Sequence, residues 1–242
     1  MPYRRSTMPA IVPDADALTS AMVGIGMGFA AHPAPAPNIE DTLLFASIEA
    51  MENDDWRVLA VLTTWMEVHA NWVNVDRLTK LVKGQPSQRV TAFWAAIARW
   101  RAADHRFARL GERPVPSDRT ELLRVGTEFQ VRRHGEDPRF VGGPLVVPAI
   151  VLRNRAADVL SPASLAQRHA AYRWRVIIGP SYRADMWAAL ETDPMLSAAE
   201  LARSTYGSFA TAWSVKRGFG IVASPEGTHA GRATRSRRVR KV

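Results

Sequence analysis

Apolar residues recur at helical spacing behind capping residues through much of this chain, and this pattern constrains the fold more than any other feature. It is clearest from Ile39 to about Ala108. Short polar side chains can accept the free N–H groups of a first helical turn. Residues of that kind stand where four helices would begin: Asp41, Asp54, Asn74 and Ser87. Gly84 is placed to end the third helix. The last three helices have helix-turn-helix proportions, with 107–110 as a strand or wing.

This N-terminal helical module, residues 39–112, is predicted to be winged-helix-like and to serve packing, dimerisation or partner contact. Residues 39–110 carry nine basic and nine acidic groups, so they offer DNA no net positive charge. One stretch of 45 residues in this module contains five tryptophans: Trp56, Trp65, Trp72, Trp94 and Trp100. Most are expected in a core, and an exposed one would favour a protein partner. Four basic residues are candidates for a second DNA or partner contact: Arg77, Lys80, Lys83 and Arg89.

The regions on either side of this module have other patterns. Residues 1–38 are rich in proline and are predicted to form a flexible tail, with a short docking helix in the apolar stretch 17–31 as the alternative. Residues 113–180 are predicted to be a β-containing centre. Apolar runs bounded by glycine predict its strands at 122–125, 129–133 and 144–152.

The segment 181–223 carries the most specific pattern, a C-terminal helix-turn-helix. Ser197, with Glu200 three residues later, predicts a capping box at the start of its second helix. Gly207 is expected to supply a turn with positive φ before the third helix. Three short helices joined in this way have the arrangement of a DNA-binding unit.

The third helix of this segment is predicted to begin at Ser208 and to enter a major groove. Its inner face is expected to be Phe209, Ala212 and Trp213. Short side chains would then face outward and let the helix sit deep in the groove: Ser208, Thr211, Ser214 and Val215. Lys216 and Arg217 would stand near backbone phosphates. Phe219 and Ile221 are expected to begin a wing strand.

Positive charge is concentrated beside this helix. The formal net charge is +9, and residues 208–242 hold eight of the 32 basic residues against one acidic residue. Residues 224–242 lack core-forming side chains and are predicted to be a flexible basic tail. Its cations would track the DNA backbone or enter a minor groove: Arg232, Arg235, Arg237, Arg238, Arg240 and Lys241. For the tail alone, a solvated charge run is the simpler interpretation.

Signals for catalysis are weak. The chain has no cysteine, which excludes disulfides, thiol catalysis and thiolate zinc sites. Its six histidines are scattered without metal-ligand spacing. We therefore predict a non-enzyme with no metal and no cofactor. Arg99 with His105 resembles the Arg–His motif of HEPN-type ribonucleases and supports the one enzymatic alternative. The sequence contains no run of about 18 apolar residues, so no membrane-spanning helix is predicted.

The segment 173–219, with its core GPSYRADMWAALETDP and LSAAELARSTYGSFATAWSVKR, resembles AbiEi-like antitoxins. These bacterial proteins are paired with nucleotidyltransferase toxins in abortive-infection and toxin–antitoxin systems. The stretch DWRVLAVLTTWMEVHANWVNVDRLTKLV is similar in style to a second winged-helix unit. The resemblance implies repression of the protein's own operon and neutralisation of a toxin encoded beside it.

These observations predict a mainly α, α+β protein in which two winged-helix-like modules flank a small β-containing centre. We expect a cytoplasmic, nucleoid-associated transcriptional regulator that acts as an antitoxin. Its expected partners are double-stranded DNA and a cognate toxin, and a homodimer would suit a palindromic operator. Two alternatives stay open: a HEPN-type ribonuclease, and a purely protein-binding antitoxin without DNA affinity.

Overall fold

The structure is a computed structural model that describes residues 9, 11–112 and 119–223. The predicted fold class is confirmed, since helices dominate and a single two-stranded sheet accompanies them in these ranges. The α-helices are α1 (Ala15–Gly24), α2 (Ile39–Glu52), α3 (Trp56–His69), α4 (Val75–Lys83), α5 (Gln88–Trp100), α6 (Thr127–His134), α7 (Pro162–Arg168), α8 (Ala170–Ile178), α9 (Tyr182–Thr192), α10 (Ala198–Ser204) and α11 (Phe209–Ala223). The strands and 3₁₀ helices of the same ranges are β1 (Thr120–Glu121), β2 (Leu145–Val146), Ala70–Trp72, His105–Leu110 and Ala156–Asp158.

Helices α1 to α5, α7 and α8 and the sheet contribute side chains to one large hydrophobic core, and we call this part of the molecule, together with the peripheral helix α6, the body. Trp65 and Trp94 are fully buried in it. The Trp65 indole N–H donates to the Ile25 carbonyl at 2.8 Å, and that of Trp94 donates to Ser47 Oγ at 2.9 Å. Because both donors have partners, both rings are buried without an unsatisfied polar group. The other three clustered tryptophans pack partly buried against the same core, so the prediction that most belong to a core is confirmed.

Side-chain caps begin the helices of the body, and two of them differ from prediction. The predicted caps of α4 and α5 are confirmed. Helix α2 is capped by Asn38, whose Oδ1 accepts the Asp41 N–H at 3.1 Å, because the Asp41 carboxylate is taken by Arg77. Helix α3 is capped by Asp55. Asp54 has a φ of 54°, and its carboxylate binds two arginines instead.

The prediction of a flexible tail over 1–38 is wrong for the residues from 14 onward. Helix α1 buries Leu18 and Met22 in the core of the body. Asp14 caps this helix by accepting the Ala17 N–H at 2.8 Å. The apolar side chains of this stretch gain burial against the body, and that gain outweighs the prolines around them. The docking helix is the alternative that the structure shows.

The centre contains less strand than predicted. β1 and β2 pair in parallel, with Thr120 opposite Leu145. The predicted strand 122–125 lies in bends after β1, and only β2 lies within the predicted strand 144–152. Pro148 has no N–H with which to continue the ladder, so the pairing stays short.

The predicted strand 129–133 is wrong, because these residues lie inside α6. Gly126, with a φ of 83°, precedes this helix, and Gly135, with a φ of 81°, follows it. The apolar residues of the segment alternate along the sequence, which suggested a strand. However, Phe129 is exposed and α6 buries only Thr127. The alternation therefore does not correspond to one buried and one exposed face of a strand.

The N-terminal module lacks the predicted wing. Residues 107–110 belong to the 3₁₀ helix His105–Leu110, which buries Phe107 and Leu110 three positions apart, as the period of a 3₁₀ helix requires. Helix α5 is the last of the three helices that were predicted to form a helix-turn-helix in this module. It is buried along most of its length. This module therefore packs inside the body and cannot place α5 in a groove. No helix of the described ranges has both the length and the apolar content needed to cross a bilayer.

Candidate nucleic-acid interface

Helices α9, α10 and α11 form a small unit with a core of its own, which we call the C-terminal unit. The predicted succession of three short helices is confirmed. Its core consists of Met186, Leu190, Leu201, Ala212 and Val215. Trp187 and Phe219 pack partly buried against these residues, with their ring centroids 5.5 Å apart. These five buried side chains come from all three helices, so the core joins α9, α10 and α11 into one unit.

The capping box at the start of α10 is confirmed. Ser197 Oγ accepts the Glu200 N–H at 3.2 Å, and Glu200 Oε2 accepts the Ser197 N–H at 2.8 Å. Hydrogen bonds from the Ser197 side chain and main chain lower the pKa of Glu200. Two of the four N–H groups that the start of a helix leaves without helical partners are thereby satisfied.

The turn between α10 and α11 is built differently from prediction. The residue with positive φ is Tyr206, at 57°, rather than Gly207. A Cβ on Gly207 would collide with Met186 Cε of α9. Glycine therefore lets the turn approach α9 without displacing the end of the Met186 side chain, and the left-handed residue beside it is held by contacts of its own.

Helix α11 is rotated from the predicted orientation. Ala212 and Val215 are fully buried, whereas Phe209 is 57% exposed and Trp213 is 55% exposed. The predictions of Phe209 and Trp213 as inner and of Val215 as outer are therefore wrong. The physical reason is size, since the small residue Ala212 lets α11 approach α9 and α10 more closely than either aromatic ring would.

The predicted wing after this helix is also wrong. Helix α11 continues through Phe219 and Ile221 to Ala223. Phe219 follows Val215 at the i+4 position, so it extends the same buried face by one more turn. The described part of the C-terminal unit is thus a set of three helices without a wing.

The predicted base contacts are not equally available. Ser208 Oγ accepts the Thr211 N–H at 2.9 Å and lies 2.6 Å from Thr211 Oγ1, so both hydroxyls are engaged in capping α11. Ser214 and Arg217 are exposed. The Arg217 guanidinium lies 5.8 Å from the centre of the Trp213 ring. Among the predicted contacts of α11 that the structure describes, Ser214 and Arg217 are exposed and not engaged in capping.

The other predicted phosphate contacts are differently placed. Lys216 Nζ donates to main-chain carbonyls of the loop between α9 and α10, at Leu196 and, at 3.4 Å, at Met195. It therefore braces that loop rather than standing free. Six predicted tail contacts lie outside the described residues: Arg232, Arg235, Arg237, Arg238, Arg240 and Lys241.

Two of the four candidates for a second contact are not available. Arg77 is 1% exposed and binds the Asp41 carboxylate. Arg89 donates to a carboxylate and to main-chain carbonyls of the body. Lys80 pairs with an aspartate four residues earlier on α4, and Lys83 is exposed at the end of that helix. Both arginines are structural because each satisfies acceptors that the fold buries.

A buried ionic joint attaches the C-terminal unit to the body. Arg175 of α8 binds Glu40 of α2 through Nη1 at 2.6 Å and Asp185 of α9 through Nε at 2.8 Å. Burial alone would lower the pKa of Arg175, but the carboxylates of Asp185 and Glu40 outweigh it and raise that pKa. The guanidinium is therefore held charged between the two parts of the molecule.

A second joint involves the turn residue Tyr206. Its ring lies on the Arg77 guanidinium, 3.4 Å from ring centre to Cζ, and its O–H donates to Asp41 Oδ2 at 3.0 Å. Burial raises the pKa of Asp41, although Arg77 and the Tyr206 hydroxyl act against that rise. Neither joint was predicted from the sequence. Helix α8 carries two arginines among apolar residues, Arg173 and Arg175, and the sequence does not distinguish the buried one from the exposed one.

The ribonuclease alternative has little geometric support. Arg99 lies on the exposed side of α5, close to Gly142 and Gly143. His105 begins the 3₁₀ helix that follows α5. Within the described residues, no hydrogen bond joins Arg99 to His105.

Comparisons with protein-family models, with curated proteins and with solved structures find no match to this chain. The interpretation of the C-terminal unit therefore depends on its own geometry. In the described part of the chain, no group of three or more His, Cys, Asp or Glu side chains is arranged to hold a metal ion.

Proposed function

We propose that this protein is a DNA-binding regulator and that the exposed side of α11 docks on duplex DNA. The observation that carries the proposal is the placement of α11. This helix packs on the C-terminal unit through Ala212 and Val215, and its opposite side is exposed along its whole length. A third helix held in this way by two others is the geometry of a helix-turn-helix.

The exposed side of α11 offers chemistry that suits a groove. The Ser214 hydroxyl can donate to or accept from base edges, and the Arg217 guanidinium suits either a guanine edge or a phosphate. Phe209, at the start of the helix, suits contact with a thymine methyl group. The chain then continues into residues 224–242, whose sequence contains six basic residues and one acidic residue. Such a segment would add phosphate contacts to the one that Arg217 can make.

In the cell, the regulator would be a nucleoid-associated, cytoplasmic antitoxin that represses its own operon and counteracts a nucleotidyltransferase toxin. This part of the proposal comes from the resemblance of segment 173–219. It includes no catalytic step and no cofactor.

A second candidate function is protein binding through the same helix. Phe209, Trp213 and Ile221 lie four and eight residues apart on α11, and all three are exposed. Exposed aromatic rings beside an arginine are typical of the centres of protein interfaces. An antitoxin that bound only its toxin would use these three exposed apolar side chains of α11.

Binding of a labelled duplex across a range of salt concentrations tests the first candidate. Arg217→Gln is expected to weaken binding to all sequences and to reduce the salt slope by about one. Arg132→Gln removes the same charge from the exposed helix α6 and serves as the control. Ser214→Ala is expected to change sequence preference while leaving the salt slope unchanged.

A full-length protein with no duplex affinity at low salt would contradict DNA binding. The second candidate is then tested with the product of an adjoining gene. Capture of that product at high salt, lost in Trp213→Ser and kept in Arg132→Gln, would establish a purely protein-binding role.

A further inference from the structure

We infer that a groove on the body, at the start of α4, binds a phosphate-type oxyanion. The groove consists of two adjoining cavities that share His105 and Arg106, with volumes of about 630 and 300 Å³. The smaller one, which we call the α4 cavity, is lined by Asn74, Thr79 and Arg109 in addition to the shared pair. It lies on the body rather than on α11, so this inference is independent of DNA binding.

Two buried polar groups of the α4 cavity lack partners. Asn74 is 4% exposed and Thr79 is 6% exposed. Asn74 Nδ2 and Thr79 Oγ1 have no hydrogen-bond partner among the described residues, and both side chains belong to the lining of the cavity. A buried polar group without a partner is costly, and native proteins satisfy nearly all of them. A ligand oxygen would accept from the Asn74 amide and from the Thr79 hydroxyl.

Helix α4 adds main-chain donors to the same cavity. Its first helical hydrogen bond runs from the Leu78 N–H to the Asn74 carbonyl at 3.0 Å. The Asn74 side chain caps the Arg77 N–H. The N–H groups of Val75 and Asp76 therefore have no acceptor within the helix, and both residues line the cavity. Free N–H groups at the positive end of a helix favour an anion.

The charges around the cavity also favour an anion. Arg109 and His105 are exposed on the same 3₁₀ helix. Arg106 is bound to Asp104 at 2.6 Å and to main-chain carbonyls, so it fixes the wall without adding net charge. The Asp76 carboxylate at the rim is paired with a lysine Nζ at 2.6 Å. Arg109 is left as the cation that would meet the ligand.

The larger cavity beside it could hold the rest of an organic phosphate. Trp100 and Asn71 line it, and the Arg101 guanidinium lies 5.7 Å from the centre of the Trp100 ring. An aromatic face and an amide suit a nucleobase, since bases stack on such rings. The shared chemistry is a phosphate group, and its source is either the free ion or a mononucleotide.

Titration of the full-length protein with inorganic phosphate and with adenosine monophosphate, followed by calorimetry, tests the inference. Arg109→Gln is expected to weaken binding about tenfold, since it removes a charged hydrogen bond. Asn74→Asp keeps the oxygen that caps α4 but replaces the donor with a carboxylate, and it is expected to abolish binding. Lys83→Gln removes one positive charge from the exposed end of the same helix, outside the lining, and is expected to leave binding unchanged. Unfolding curves of all three variants establish that each one folds.

The two ligands distinguish the sources. Tighter binding of the mononucleotide, reduced by Trp100→Leu while phosphate binding stays unchanged, identifies a nucleotide site. Equal binding of both ligands identifies a site for the free ion. Absence of saturable binding by either ligand overturns the inference, as does equal weakening in Lys83→Gln and Arg109→Gln. Loss of duplex binding in the earlier experiment bears on α11 alone.

Discussion

The body and the C-terminal unit are held together by different physics. In the described ranges, the core of the body contains forty buried residues, whereas that of the C-terminal unit contains five. The body therefore gains its stability from apolar burial. The C-terminal unit has too small a core to be stable alone and depends on its attachment to the body.

That attachment consists of two polar joints and one aromatic contact. Arg175 and Tyr206 contact carboxylates of α2, and Trp174 stacks on Trp187 with ring centroids 5.2 Å apart. Hydrogen bonds and ion pairs need a defined geometry. They therefore fix the orientation of the C-terminal unit on the body more strictly than an apolar contact would. We expect the C-terminal unit to open before the body does.

The largest expected effect is the loss of a core side chain from the body. Trp94→Ala removes a fully buried indole and should lower the free energy of unfolding of the whole protein by about 3–5 kcal/mol. Trp213→Ala removes an exposed indole from the C-terminal unit and should change it by less than about 0.5 kcal/mol. Urea unfolding measures both. Equal losses would contradict the division into a heavily buried body and a lightly buried unit.

Breaking the ionic joint should act mainly on the C-terminal unit. Arg175→Met leaves the Glu40 and Asp185 carboxylates buried and unpaired, which should cost about 3–4 kcal/mol. Hydrogen exchange should show faster exchange in α9 to α11, with the core of the body still protected. Arg173→Met, two residues earlier, breaks only an exposed pair with Glu191 and should cost less than about 1 kcal/mol. Uniform loss of protection in both parts would contradict a local joint.

Acid should act on the body. His69 is fully buried, its Nε2–H donates to the Leu160 carbonyl at 3.0 Å, and its Nδ1 accepts the Tyr172 O–H at 2.7 Å. Burial lowers the pKa of His69 to about 4, against 6.5 when unfolded. The unfolded chain therefore binds the proton more readily. Stability is complete above the unfolded pKa and falls by about 3 kcal/mol as the pH drops from 6.5 to about 4.

Unfolding curves at pH 7 and 4.5 measure this effect. The difference between them should shrink by about 2–3 kcal/mol in His69→Gln, where the titrating group is absent. It should stay unchanged in His134→Gln, which alters an exposed histidine. An acid effect that survives in His69→Gln would assign it to other groups, such as the buried His169, whose pKa burial also lowers.

The smallest expected effect tests the second joint. Tyr206→Phe keeps the ring on the Arg77 guanidinium but removes the donor to Asp41, which should cost about 1 kcal/mol. Hydrogen exchange should show the loss at the α10–α11 turn. Tyr182→Phe removes an exposed hydroxyl near Asp76 and should have no measurable effect there. A change in the core of the body would show that the joint is not local.

Local signals in the sequence predicted the helix starts well. The caps at Asn74, Ser87 and Ser197 were predictable because each depends on residues within one helical turn of itself. The same reasoning failed at Asp41, whose carboxylate is taken by Arg77, a residue 36 positions away. A cap can be predicted when no distant partner competes for it.

The orientation of α11 was harder to predict from sequence. Phe209 and Trp213 are larger and more apolar than Ala212, so a pattern based on hydrophobicity placed them inside. The structure buries Ala212 and Val215 because these positions of α11 face the larger side chains that α9 and α10 contribute to the core. That choice depends on the packing of α9 and α10, which the spacing of residues along α11 does not contain.

The joint at Arg175 has a consequence for synthesis on the ribosome. Glu40 is made 135 residues before its arginine partner. At about 5–20 residues per second, the nascent chain carries that carboxylate for roughly 7 to 30 s without its counter-charge. During this delay the Asn74 N–H, which donates to Glu40 Oε1 at 2.8 Å in the folded chain, is a partner that is already synthesised. We therefore expect the start of α2 to remain hydrated until α8 supplies the arginine.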